Sequence, residues 1–85
     1  MARILIVDDE PSMRRILVAN LRRDGHVPTE ASGFMDARAL LAREDFDVVL
    51  TDQKMPDGSG LDVLRAAQEG DATTSVIFLT AVGTV

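Results

Sequence analysis

Ile4-Leu5-Ile6-Val7-Asp8-Asp9 decides the fold: a short apolar run, mostly β-branched, that ends on two adjacent aspartates. Such a run predicts a buried strand, and the acids closing it mark where the chain returns to solvent. Val48-Val49-Leu50-Thr51-Asp52 repeats the pattern, and a further run from Ser75 to Thr80 carries Val76, Ile77, Phe78 and Leu79 in sequence. After the first run, Met13, Ile16, Leu17, Val18 and Leu21 recur at three- and four-residue spacing, which predicts a helix buried on one side. Pro11 and Ser12 supply its start and Asp24-Gly25 its stop. His26 to Ala31 predicts a weaker strand with Val27, Thr29 and Ala31 on one face, and Pro28 suggests an edge position. Ser32 can cap a second helix whose stripe is Phe34, Ala37, Leu40 and Leu41. Asp47 to Thr51 is nearly continuous in apolar character, as expected of a central strand covered on both faces. Met55-Pro56-Asp57-Gly58-Ser59-Gly60 is turn chemistry, and Leu61, Leu64 and Ala67 mark a third helix ending at Gly70. Strands alternating with helices through short connections give right-handed βαβ units. The class is therefore α/β, with helices on both sides of a parallel sheet.

The 85 residues, 46% of them hydrophobic, read as one domain spanning 1–85, near the small end of what buries its own core. No repeat, low-complexity tract or linker interrupts them. Without cysteine there is neither a disulfide framework nor a thiolate metal site, and no charged-then-apolar export segment precedes the first strand. A cytoplasmic location is the expectation. The apolar runs are far shorter than the roughly 18 residues of a membrane-spanning helix. A net charge of −5 and a pI near 4.6 argue against a nucleic-acid surface, since binding a phosphate backbone calls for excess Lys and Arg.

Ligands of such sheets bind beyond the carboxyl ends of the strands, beside the point where strand order reverses. Asp8, Asp9, Asp52 and Thr80 all fall at those ends. Clustered carboxylates resist ionising together unless a cation neutralises them, and an oxygen-rich site of this kind suits Mg²⁺. A carboxylate can also be the nucleophile of phosphoryl transfer, forming an aspartyl phosphate while the metal offsets charge. Each residue has a plainer reading as well. An aspartate between strand and helix is often only a helix cap, and Thr80 can simply terminate its strand. The pairing of Asp8 and Asp9 with Asp52 and Thr80 favours the functional reading of the group. Arg14, Arg15, Arg22 and Arg23 read as a solvated helix face rather than a recognition stripe. His26 has no second metal ligand nearby, Met13, Met35 and Met55 read as filler, and Gly58 and Gly60 serve the turn.

Ile4 to Glu10, Asp52 with Met55-Pro56 and Gly58 to Leu64, and Thr80-Ala81 together resemble the receiver domain of bacterial two-component response regulators. The resemblance runs in order through essentially the whole chain. The wording Thr51-Asp52-Gln53-Lys54-Met55-Pro56 is most similar to receivers that precede ATPase-type transcriptional activators. The resemblance implies a CheY-like, flavodoxin-like sheet of strand order 2-1-3-4. It implies that Asp52 is the phosphoacceptor, that Asp9 binds Mg²⁺ directly and Asp8 through water, and that the Lys54 main-chain carbonyl is a further ligand. Thr80 would be the switch hydroxyl. The family pattern goes on to a fourth helix, a fifth strand ending in a lysine and a fifth helix, whereas this sequence stops just after strand four. The only lysine here is Lys54. The expectation is thus a truncated receiver with the metal and acceptor half of its site present and its readout impaired. A bare strand-four edge and an uncovered sheet face predict a homodimer. A sensor histidine kinase is the other expected partner. Two further readings compete: a dimerisation or decoy module with a vestigial site, and, more weakly, an enzyme acting on phosphate esters, for which no general acid or substrate pocket is evident.

Overall fold

A computed structural model describes residues 1–79, and Thr80, the switch hydroxyl of the sequence reading, lies outside them. Strand β1 (Arg3–Val7) leads into helix α1 (Pro11–Arg23), strand β2 (Val27–Ala31) and helix α2 (Phe34–Arg43). Strand β3 (Val48–Asp52) follows, then a small hairpin of β4 (Lys54–Met55) and β5 (Gly58–Ser59), helix α3 (Gly60–Gly70) and strand β6 (Ser75–Leu79). The parallel sheet has the order β2-β1-β3-β6, which is the 2-1-3-4 order expected once the hairpin is set apart. As predicted, β2 with Pro28 is an edge and β3 is interior. Among the described residues β6 forms the other edge.

Alternation along the strands sorts the core into two layers. Leu5, Val7 and Val49 point to one face, where Ala37 and Leu40 of α2 and Val63 and Ala67 of α3 close over them with Phe46. Ile4 and Ile6 point to the opposite face and meet Val18, with Leu17 and Leu21 of the same helix alongside. Helices therefore cover both faces, and a register shift of one residue would exchange the two layers. The helical stripes are narrower than the spacing suggested. Met13 and Ile16 stay exposed on α1, as does Leu61 on α3, where Val63 takes the core position instead.

Capping departs most from the sequence reading. α1 starts at Glu10, whose carboxylate accepts from the Ser12 N–H at 3.1 Å, with Pro11 in the first turn. Ser32 does not cap α2. The cap position is Gly33, and the first amides of the helix donate to Asp57, at 2.8 Å from Phe34 and 2.9 Å from Met35. α3 carries a full capping box, with the Ser59 hydroxyl accepting from the Asp62 N–H and the Asp62 carboxylate accepting from the Ser59 N–H. Gly25, at φ +86°, turns the chain from α1 into β2.

Candidate functional site

The register of the sheet assembles the site. Val7 lies opposite Thr51 in the parallel pair β1–β3, so Asp8, the next residue along β1, emerges beside Asp52, the last residue of β3. Asp9 follows at the start of the loop into α1. The ligand atoms of Asp8, Asp9 and Asp52 all lie within 4.8 Å of one another. The corner is graded in burial: Asp8 is buried, Asp52 half-buried and Asp9 exposed.

Backbone contacts fix each arm. The Asp8 N–H donates to the Ala31 carbonyl at 3.2 Å, continuing the β1–β2 pairing past the end of the strand. One Asp8 oxygen accepts from the Glu10 N–H at 2.9 Å, and an Asp52 oxygen accepts from the Gln53 N–H at 2.8 Å. Gly60 lies so close to β3 that a Cβ there would sit 2.9 Å from the Asp52 carbonyl oxygen. Lys54, two residues beyond Asp52, pairs with Ser59 in the hairpin.

Burial pushes the Asp8 carboxyl above the usual carboxylate value; the Glu10 N–H opposes this, Asp52 and Asp9 add to it by charge repulsion, and Arg14 draws it back. Arg14 is the residue that helical periodicity misplaced. Its guanidinium donates to the Asp8 carbonyl at 2.6 Å and pairs with Glu30 on β2 at 3.3 Å, so it braces the acidic loop. Arg15, Arg22 and Arg23 are exposed, as a solvated face requires. His26 Nδ1 accepts from the Ala2 N–H at 3.1 Å, a structural role.

The donor set fits a small hard cation. Three carboxylates of graded burial supply oxygen ligands only, with their ligand atoms within 4.8 Å of one another, as the ligands of a single ion must be. Mg²⁺, with one or two protein carboxylates and retained waters, suits this arrangement better than a metal seeking nitrogen or sulfur.

A parallel 2-1-3-4 sheet carrying an acidic triad at the carboxyl edge defines a class of signalling modules, the receivers of two-component systems. The response regulator receiver domain family matches residues 4–85, and the chain belongs to it. It is 46% identical over 81 residues to the response regulator protein PilR of Pseudomonas aeruginosa, a match covering 95% of this chain and 18% of that protein. The response regulator receiver protein CpdR of Brucella abortus is 36% identical over 80 residues, covering 94% of this chain and 67% of CpdR. Among solved structures, the response regulator TrrA of Thermotoga maritima, in complex with Mg²⁺ and BeF, superposes with a TM-score of 0.88 at 34% identity. That match covers 98% of this chain and 72% of TrrA.

Proposed function

We propose that the chain is a phosphoacceptor in two-component signalling, with Asp52 as the acceptor and Asp8, Asp9, Asp52 and the Lys54 main-chain carbonyl as the ligands of Mg²⁺. The observation that carries this reading is the convergence of the three aspartates within 4.8 Å at the carboxyl edge of the sheet. Bound there, Mg²⁺ would offset negative charge on the phosphoryl oxygens. An Asp52 carboxylate oxygen attacks phosphorus and forms the acyl phosphate bond. The bond from phosphorus to the donor breaks, and its electron pair leaves with the imidazole of a histidine kinase or with acetate from acetyl phosphate. Asp8 and Asp9 hold negative charge beside the acceptor, while Arg14 and the Glu10 amide keep Asp8 in place.

Thr80 as the switch hydroxyl belongs to the same reading, supported by its position directly after Leu79 at the end of β6. A sensor histidine kinase is the proposed donor and the cytoplasm the proposed compartment; no described helix is long and apolar enough to cross a membrane. On this reading the chain is a non-enzymatic module, one domain over residues 1–85, with phosphoryl transfer to Asp52 and its readout impaired wherever the strand-five lysine of the family is lacking. Radiolabel transferred from acetyl phosphate in Mg²⁺ and absent in excess chelator is the expected result. Equal labelling in chelator would overturn the metal assignment.

A second reading rests on β6. Its outer edge is unpaired among the described residues, with Ile77 51% and Phe78 36% exposed. Those residues support a homodimer formed through the β6 edge and the adjoining sheet face, acting by dimerisation or as a decoy without phosphorylation. A folded protein that takes no label would favour this reading over the first.

A further inference from the structure

The segment that leaves Asp52 is held by a contact that neither its own sequence nor the acidic triad accounts for. At the tip of the β4–β5 hairpin, Asp57 reaches to the start of α2 and accepts from both Phe34 and Met35 amides, residues 23 and 22 positions earlier in the chain. α2 has no cap of its own, because Gly33 makes no side-chain bond. Two glycines make the approach possible. A Cβ on Gly33 would lie 2.7 Å from Asp57 Oδ1, and one on Gly58 would lie 2.7 Å from Phe34 Cβ. The Met35 and Phe34 amides hold the Asp57 carboxyl below the usual carboxylate value, as expected of a charge-assisted cap.

This contact closes a ring around the acidic corner. Asp8 is tied to Ala31 at the end of β2, and Gly33 and Phe34 follow two and three residues later. Asp57 links that point to the hairpin, and the hairpin returns through the Lys54–Ser59 pair and the bond from the Gly60 N–H to the Gln53 carbonyl at 3.0 Å, next to Asp52. Beside this ring an open cleft of about 590 Å³ runs along the start of α2, and Asp9, Gly33, Pro56 and Asp57 are among the residues that line it. The β1–β3 pair and the packing of α2 on α3 also join the two sides of the corner, but the Asp57 bridge is the side-chain hydrogen bond that ties the hairpin tip itself to the start of α2.

We propose that Asp57 is a positioning residue for the acidic site: by capping α2 across the cleft it holds the Asp52-to-Lys54 segment in register with Asp8 and Asp9. The proposal rests on the reading of that corner as the Mg²⁺ site. Partners that orient metal ligands from outside typically change metal affinity by ten- to a hundredfold when removed, and Asp57, one contact further out, falls at the lower end.

The test is an amide NMR titration of the full chain with MgCl₂, which reads affinity and foldedness together. Asp57→Ala is expected to weaken Mg²⁺ about tenfold while the metal-free spectra of β1 and α1 stay in place. Asp57→Asn, which keeps one side-chain oxygen, falls between. Gly33→Ala pushes on the same carboxylate from the other side, so it weakens Mg²⁺ in the parent and adds nothing in the Asp57→Ala background. A cap with a merely structural role would lower the melting temperature and leave the Mg²⁺ affinity of folded Asp57→Ala and Asp57→Asn unchanged, and that result overturns the proposal. If Asp57→Ala fails to fold, the two milder variants decide it by the same criterion. A parent chain showing no Mg²⁺ shifts at Asp8, Asp9 and Asp52 overturns the site reading and this proposal with it. Binding in the parent with unchanged variants overturns the proposal alone.

Discussion

Asp8 sets burial against charge more sharply than its neighbours do. It is 6% exposed, yet it shares a corner with two other carboxylates. Its pKa in the folded chain lies above the unfolded value, so between the two values the folded chain binds the proton more readily and stability falls as pH rises through that window. Asp8→Asn removes the charge while keeping the shape. Without metal, this variant is expected to melt at a higher temperature than the parent at neutral pH, with the gap closing below the ordinary aspartate pKa of about 3.9. Added Mg²⁺ should stabilise the parent and leave the variant unmoved. Thermal melts at the two pH values, with and without Mg²⁺, check this; a variant less stable than the metal-free parent at neutral pH would contradict it. The three aspartates were legible in the sequence because each closes an apolar strand. Arg14 was not, because the group it meets is the Asp8 carbonyl, and helical periodicity says nothing of a backbone oxygen on another element.

Strands and helices were legible wherever a period had room to repeat. Arg3 to Val7 as β1 and a third helix ending at Gly70 stand as read, while the β4–β5 hairpin, with two-residue strands, is too short to carry a pattern. Local pattern favours Ser32 as the α2 cap, but its N–H donates to Asp36, and the cap arrives from Asp57 across the cleft. No local rule finds a cap 23 residues away; Gly33 and the acid in the turn were the available signals, and both also suit an ordinary loop. Where the cap is local the reading is firmer in energy. Ser59→Ala opens the capping box of α3 and is expected to cost about 1 kcal/mol in urea unfolding, with the denaturant slope unchanged. A cost near zero would mean that α3 is held by Val63 and Ala67 alone. Met13 and Ile16 show the limit of periodicity from the other direction, since a stripe fixes which residues share a face but not how wide a neighbour covers it.

For the whole molecule, alternation of strand and helix was enough to give the α/β class, and the family resemblance added the strand order that the β2-β1-β3-β6 sheet shows. The homodimer expected from the bare strand-four edge stays an expectation, because Val76 to Leu79 reads the same whether or not another strand pairs with it. With Ile77 and Phe78 at that edge, the 85-residue chain is expected to run as a dimer at micromolar concentration by light scattering, and Ile77→Lys to shift it toward monomer. A folded monomer in the parent would rule out the β6-edge dimer. Function rests on the acidic corner, and intact-protein mass after incubation with acetyl phosphate and Mg²⁺ tests it most directly, run beside Asp52→Asn. An added ~80 Da, the mass of one phosphoryl group, is expected in the parent and none in the variant. An unmodified parent that is demonstrably folded, or an equal adduct in Asp52→Asn, would contradict it.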